Sequence, residues 1–402
     1  MVYFHQSKYD TALGILDEVE KLLKEESQDS LIEKAEISQS RGAIYQTEGN
    51  LSLAQSEAEK ALSISDRIKD EIRAGQIKVK CLNNLGSIWR QKGEYDHAVE
   101  ILQKSIEILE KLNLKQLLAR TVNQLGVVYH VKGDYHRAIE FNEQALKIIE
   151  EIGDKLMIAG VSGNLGVIYA YLGEIEKALE FHKKHLKIAE EIGDRRGIGM
   201  AYNNLGRIYA GSRERHALAR ESFQKALEIF EEIGDKTAIS AALGNLAIIF
   251  LAVGEIDKAE KNLLKTEQIL TELGNKELLI NTYHYMAQVQ LAKKAPIEET
   301  LKFANQALSL AETIDSDIGR ADAYTNYTRI YAMVKDFAKV EENFEKAAKI
   351  YRKIGRKASL SNLYQSYAQI LKDSGQNERA NFYVNEAEKL NQEMKKQNHL
   401  TT

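Results

Sequence analysis

The chain of 402 residues contains one cysteine, Cys81, and one proline, Pro296. A single thiol excludes an intramolecular disulfide, and with no signal-peptide layout at the start the expected compartment is the cytoplasm. Proline normally supplies about one residue in twenty, so its near-absence leaves almost every stretch free to be helical. No apolar run approaches the roughly 20 residues that a spanning helix needs. Charge of one sign is lacking too: 55 basic against 59 acidic residues leave a net charge of -4. Such a balance gives no overall attraction for phosphate or anionic lipid, so neither nucleic acid nor membrane is an expected partner. Length alone fits two or three globular domains or one long array.

What is present is a repeat. The stretch "NNLGSIWRQKGEYDHAVEILQKSIEILEKL" from Asn83 returns as "NQLGVVYHVKGDYHRAIEFNEQALKIIEEI" from Asn123. The slot of Gly126 is filled in turn by Gly42, Gly86, Gly126, Gly166, Gly206, Ala247, Ala287, Thr328 and Ala368, mostly 40 or 41 residues apart. An aromatic or large residue follows three positions later: Tyr45, Trp89, Tyr129, Tyr169, Tyr209, Phe250, Tyr331 and Leu371, with Gln290 as the exception. Each unit reads as two helices. In the unit from Asp154 to Asp194, Asp154 can cap the first helix, Gly173 can break it, and Gly193 can end the second in a left-handed turn. Ile175, Ala178, Leu179, Leu186, Ala189 and Ile192 recur at helical steps and line one face. Gly166 and Ala178 let the two helices approach, while Tyr129, Tyr169 and Tyr209 are expected in the core.

These residues resemble the tetratricopeptide repeat (TPR) family, whose pattern is met here by Leu125, Gly126, Tyr129, Gly133, Tyr135, Ala138 and Ala145. The unit is longer than the family's usual 34 residues and lacks the terminal proline. That long variant is similar to the repeats of GoLoco-containing spindle adaptors, kinesin light chains and bacterial TPR signalling proteins. The fold so implied is all-α, a right-handed superhelical solenoid of about nine complete hairpins plus a partial first one, its concave surface lined by first helices. The expected organisation is one solenoid over 1–402, with a partial repeat at 1–39, the array at 40–390 and a polar tail at 391–402. Tyr3 aligns with Tyr129 and Tyr9 with Tyr135, so the chain is expected to begin inside a repeat, as a fragment of a longer protein or as a degenerate cap.

No nucleophile elbow, phosphate loop or zinc spacing stands in its proper context, so no catalytic residue, metal or cofactor is expected. "GVSGNLG" has no strand before it. His182 and His185 are spaced like metal ligands but lack a third; packing between helices is the simpler reading. The pairs Glu150-Glu151, Glu190-Glu191 and Glu231-Glu232 recur with the repeat and read as a solvated ridge, and Cys81 is expected to be buried.

One column does not read as core. Just before each Leu-Gly pair stand Asn84, Gln124, Asn164, Asn204, Asn245, Tyr285, Asn326 and Ser366, a position that faces the concave surface in the resembled family. Amides both donate and accept, so the row could hold a peptide backbone, or each could bond within its own hairpin. Lys80, Arg90, Arg120, His130 and Arg207 would make the early groove basic; Val127, Val167, Tyr171, Ile248 and Leu251 form an apolar strip, with Gly160, Gly163 and Gly244 leaving room. The implied partner is a protein or peptide segment, acidic with an apolar anchor. The expected function is a non-catalytic interaction scaffold. Two alternatives stay open: the sensor region of a larger signalling protein, and a regulator resembling the Rap family. Self-association through the solenoid ends is also open.

Overall fold

The computed structural model describes residues 2–23 and 27–399. All of its regular structure among the described residues is helical. A first helix, α1 (Val2–Leu22), precedes nine hairpins. The first four are α2 (Gln28–Thr47) with α3 (Leu51–Ser65), α4 (Glu71–Gln91) with α5 (Tyr95–Lys111), α6 (Lys115–Lys132) with α7 (Tyr135–Ile152), and α8 (Lys155–Tyr171) with α9 (Ile175–Ile192). A fifth pairs α10 (Arg195–Ala210) with α11 (His216–Ile233) across a short 3-10 turn at Arg213–Arg215. The last four are α12 (Lys236–Ala252) with α13 (Ile256–Leu273), α14 (Lys276–Lys293) with α15 (Ile297–Thr313), α16 (Asp317–Met333) with α17 (Phe337–Lys353), and α18 (Lys357–Asp373) with α19 (Asn377–His399). Two compact units result, residues 1–201 and 202–402.

The helix ends follow the sequence. Asp154 accepts from the Met157 amide (3.1 Å) and Asp235 from the Ala238 amide (3.0 Å), which satisfies an orphan donor of α8 and of α12. Gly193, at φ +70, closes α9 in the left-handed region. Where Tyr129 and Tyr135 flank a turn, the aligned Tyr3 and Tyr9 lie in one helix: α1 runs unbroken, because "SKYDTA" has no glycine or proline to stop it. The aromatic slot assigned to Tyr3 lies outside the described side chains.

Packing within a hairpin rests on a small residue facing a large one. A Cβ on Gly166 would stand 2.7 Å from the ring of His182, and one on Gly86 2.8 Å from Leu102. On Gly206 it would stand 2.6 Å from the Phe223 ring. The second-helix knobs Leu102, Asn142, His182 and Phe223 thus recur with the glycine slots they fill. Tyr129 and Tyr169 are buried beside them, whereas Tyr209 is only partly covered. Cys81 is fully buried. The recurring glutamates do more than face water: Glu151 pairs with Lys115 (3.4 Å), Glu191 with Lys155 (2.9 Å) and Glu272 with Lys236 (2.7 Å), tying the end of a second helix to the start of its own first helix. These pairs are exposed, and each contributes little.

Within each unit, neighbouring first helices touch: α2 with α4, α4 with α6 and α6 with α8 in the first, α12 with α14, α14 with α16 and α16 with α18 in the second. No pair of second helices makes a comparable contact among the described residues. First helices therefore form the inner surface of each stack.

Candidate functional site

The amide column does not stand free on that surface. Asn164 Nδ2 donates to Asn123 Oδ1 (3.0 Å), and Asn245 Nδ2 to Asn203 Oδ1 (2.9 Å). Both bonds cross from one repeat to the one before, and neither lies within a hairpin. Asn326 goes further. It is fully buried, with Nδ2 3.1 Å from both the carbonyl oxygen and Nδ1 of His284, which removes it from any groove surface. Its place in the sequence-read site is corrected accordingly: His284 fills the position that Asn123 and Asn203 hold elsewhere, and its larger ring covers the amide.

In the first unit the remaining residues form two small groups. Arg90 and Val127 line one crevice with Gln124. His130 lies 5.2 Å from the ring of Tyr171, which in turn stacks on Tyr135 at 5.9 Å; burial pushes the His130 imidazole below its ordinary value. Lys80, Arg120 and Tyr171 are exposed, and Asn84, Asn164 and Val167 are half-buried. Gly160 has open space beside it, but Gly163 does not: a Cβ there would stand 2.9 Å from His185 Nδ1, so that glycine makes room for the core histidine and not for a ligand. His182 and His185 are both buried packing residues. Among the described residues no group of three His, Cys, Asp or Glu side chains could hold a metal ion.

The second unit has the larger feature, a cleft of about 620 Å³ between α12, α14, α16 and α18. Asn245 and Ile248 line it, as does Gly244, which leaves open space. Asn204 and Arg207 belong to the same unit and do not line the cleft; Asn204 is half-buried and Arg207 exposed. The column of Lys80 and Arg120 continues here as Ala241, Asn281, Asp322 and Asn362, all at the cleft wall. The column of Val127, Val167, Arg207 and Ile248 continues as Gln288 and Arg329, also at the wall. Counting onward by the same repeat from Ile248 would have found Arg329.

Polar groups in the cleft are held in defined states. The Tyr351 hydroxyl donates to Asp322 Oδ1, and burial beside that carboxylate drives the phenol far above its ordinary value, so it remains a donor. Burial keeps the His284 imidazole below its ordinary value, hence neutral near pH 7. Arg329 Nε donates to Ser366 Oγ (3.1 Å) on α18. The arrangement offers amide donors and acceptors, one carboxylate and one guanidinium along an inner surface with an apolar strip. It offers no nucleophile paired with a base.

A hairpin stack with small-residue slots and an inner surface of first helices is a helical-repeat solenoid. Residues 80–151 and 157–232 match the family model of the tetratricopeptide repeat, and the same paired-helix unit recurs through the second unit. No curated protein matches the chain in sequence. Among solved structures, a Rap protein complexed with Competence and Sporulation Factor is similar in fold, with TM-score 0.64 and 12% identity over 91% of this chain and 99% of that one. The Rap conjugation gene regulator of the plasmid pLS20, solved with the Phr* peptide, gives TM-score 0.55 at 15% identity, over 87% and 96%. A STAND signal-transduction ATPase with a tetratricopeptide repeat sensor from Pyrococcus horikoshii gives 0.60 at 16%, over 89% of this chain; the chain spans about half of that protein, 54%. Identities this low show a shared fold. No described helix is long and apolar enough to cross a membrane.

Proposed function

We propose that this chain is a non-catalytic scaffold that binds an extended peptide on the inner surface of its second unit. The observation that carries the reading is the cleft of about 620 Å³, walled by first helices that present Asn281, Asn362 and Gln288 with an apolar strip beside them. Amides bond to a peptide backbone whatever its side chains, and apolar pockets then select among side chains. A solved neighbour of similar fold carries a bound peptide, which supports a peptide as the class of ligand. In the first unit Lys80, Arg90 and Arg120 would favour acidic ligands through a screened attraction. The reading of the chain as a sensor region draws support from the STAND neighbour and differs in what lies outside the repeats, not in the surface used.

Asn281 and Asn362 are the residues to change, because both are exposed, whereas Asn164 and Asn245 also tie repeats together. With the chain immobilised and offered a degenerate hexapeptide pool, Asn281→Ala with Asn362→Ala should cut retention about tenfold, since two net hydrogen bonds of roughly 0.5–1.5 kcal/mol each are removed. Circular dichroism should stay unchanged. Equal retention by the parent chain and the double variant would show that peptides are not held in this cleft.

A further inference from the structure

Arg329 differs from Arg41 and Arg320, two other poorly exposed arginines. Arg41, with only 8% of its side chain exposed, is held by Asp17 and Glu20, both at 2.5 Å. Arg320 is held by Asp315 at 2.9 Å and Asp317 at 2.5 Å. Arg329 is half-buried in the cleft wall, and its described partner is the neutral hydroxyl of Ser366. Burial lowers its affinity for protons, and no carboxylate is among the groups that offset this. Asp322 is not its counter-ion: it stands seven residues earlier on α16, about 10 Å along the helix, and accepts from Tyr351. A guanidinium drawn out of water without an anion costs the free protein stability.

We propose that Arg329 is the anion anchor of the cleft and takes a carboxylate of the bound peptide. The inference rests on the peptide-binding reading above and names the ligand group that the reading leaves open. Ser366 occupies the Nε–H, which fixes the plane of the fork and leaves the Nη edge for a bidentate carboxylate. Asn362 and Gln288 flank the same cleft, so the backbone on either side of that carboxylate meets amides. In the sequence register the slot of Arg329 is held by Val127, Val167, Ile248 and Gln288 in other repeats and by the exposed Arg207 in one, so packing of the repeat does not require a cation there. The carboxylate can come from a peptide C-terminus or from an Asp or Glu side chain.

The test offers the immobilised full chain three degenerate hexapeptide pools: free C-termini without Asp or Glu, amidated C-termini with Asp and Glu, and amidated C-termini without either. The third pool should be retained at least about tenfold less than the better of the first two, and whichever of those is retained identifies the source. Arg329→Met should abolish that preference while the free variant melts at the same temperature as the parent or higher, because an unpaired cation has been removed. Arg329→Gln, which can still donate to Ser366, carries the same test if the methionine variant does not fold. Equal retention of all three pools overturns the anchor and leaves the peptide reading standing. Retention of none overturns both. A free Arg329→Gln variant that melts lower than the parent, with pool preferences unmoved, makes Arg329 structural and overturns the anchor alone.

Discussion

His185 shows how one side chain makes the stack sensitive to acid. Its ring is only 5% exposed, Nδ1 has no hydrogen-bond partner, and burial holds its pKa below the ordinary 6.5 despite the opposing influence of Asp194. Above pH 6.5 the imidazole is neutral both folded and unfolded and adds no pH dependence. As pH falls below that value the unfolded chain takes up a proton that the folded chain resists, so stability is lost towards acid. His130 and His284 are lowered for the same reason and add to the slope. The contribution of His185 is therefore the difference between parent and His185→Ala: denaturant midpoints should separate less at pH 5.5 than at pH 8. An unchanged separation would mean that the buried ring titrates normally.

At the scale of the element, each hairpin solves one volume problem in its own way. Where the first helix carries Asn83 the second carries Ser105, and the two share a hydrogen bond of 2.9 Å; Asn123 corresponds in register to Ala145. In α8 and α9 the sizes are exchanged, with Gly163 opposite His185. Gly163→Asn alone should collide with the ring, and His185→Ala alone should leave a cavity. Each is expected to cost about 1–3 kcal/mol. The double change restores the combination found one repeat earlier and should recover most of the loss, read as a coupling in a denaturation cycle. Simple additivity would show that the two positions do not share the space. Such slots were legible because a repeat prints its own alignment: Gly166, Tyr129 and Tyr169 sit where the period puts them. Partners across repeats were not legible, since nothing in the spacing tells whether Asn164 bonds to Asn123 or reaches a ligand. Asn326 was misplaced because one large neighbour, His284, closes over it. Arg329 and Asp322 were not legible for a different reason: the columns of Ile248 and Arg120 change residue type from repeat to repeat, so the period marks no chemistry there.

Each unit is bound by contacts between adjacent helices and adjacent repeats, with none between distant helices among its described residues. Stability then sums over repeats and their interfaces, and removing one repeat costs its own share and leaves the stack intact. Deleting Asp154 to Gly193 takes out α8 and α9 with one flanking residue at each end and brings Gly153, which ends α7 at φ +79, directly before Asp194, whose Oδ1 already caps the next helix by accepting from the Gly197 amide at 2.9 Å. The junction thus repeats the Gly-Asp step that it replaces. The shortened chain should remain helical by circular dichroism and melt at a lower temperature. Its retention of the degenerate peptide pool should be unchanged, because the lining of the cleft runs from Ser240 to Leu363 and none of it is removed. Global unfolding of the deletion would contradict a modular stack. A folded deletion that no longer retains peptides would place the binding surface in the first unit, nearer to Lys80 and Arg120 than to Arg329.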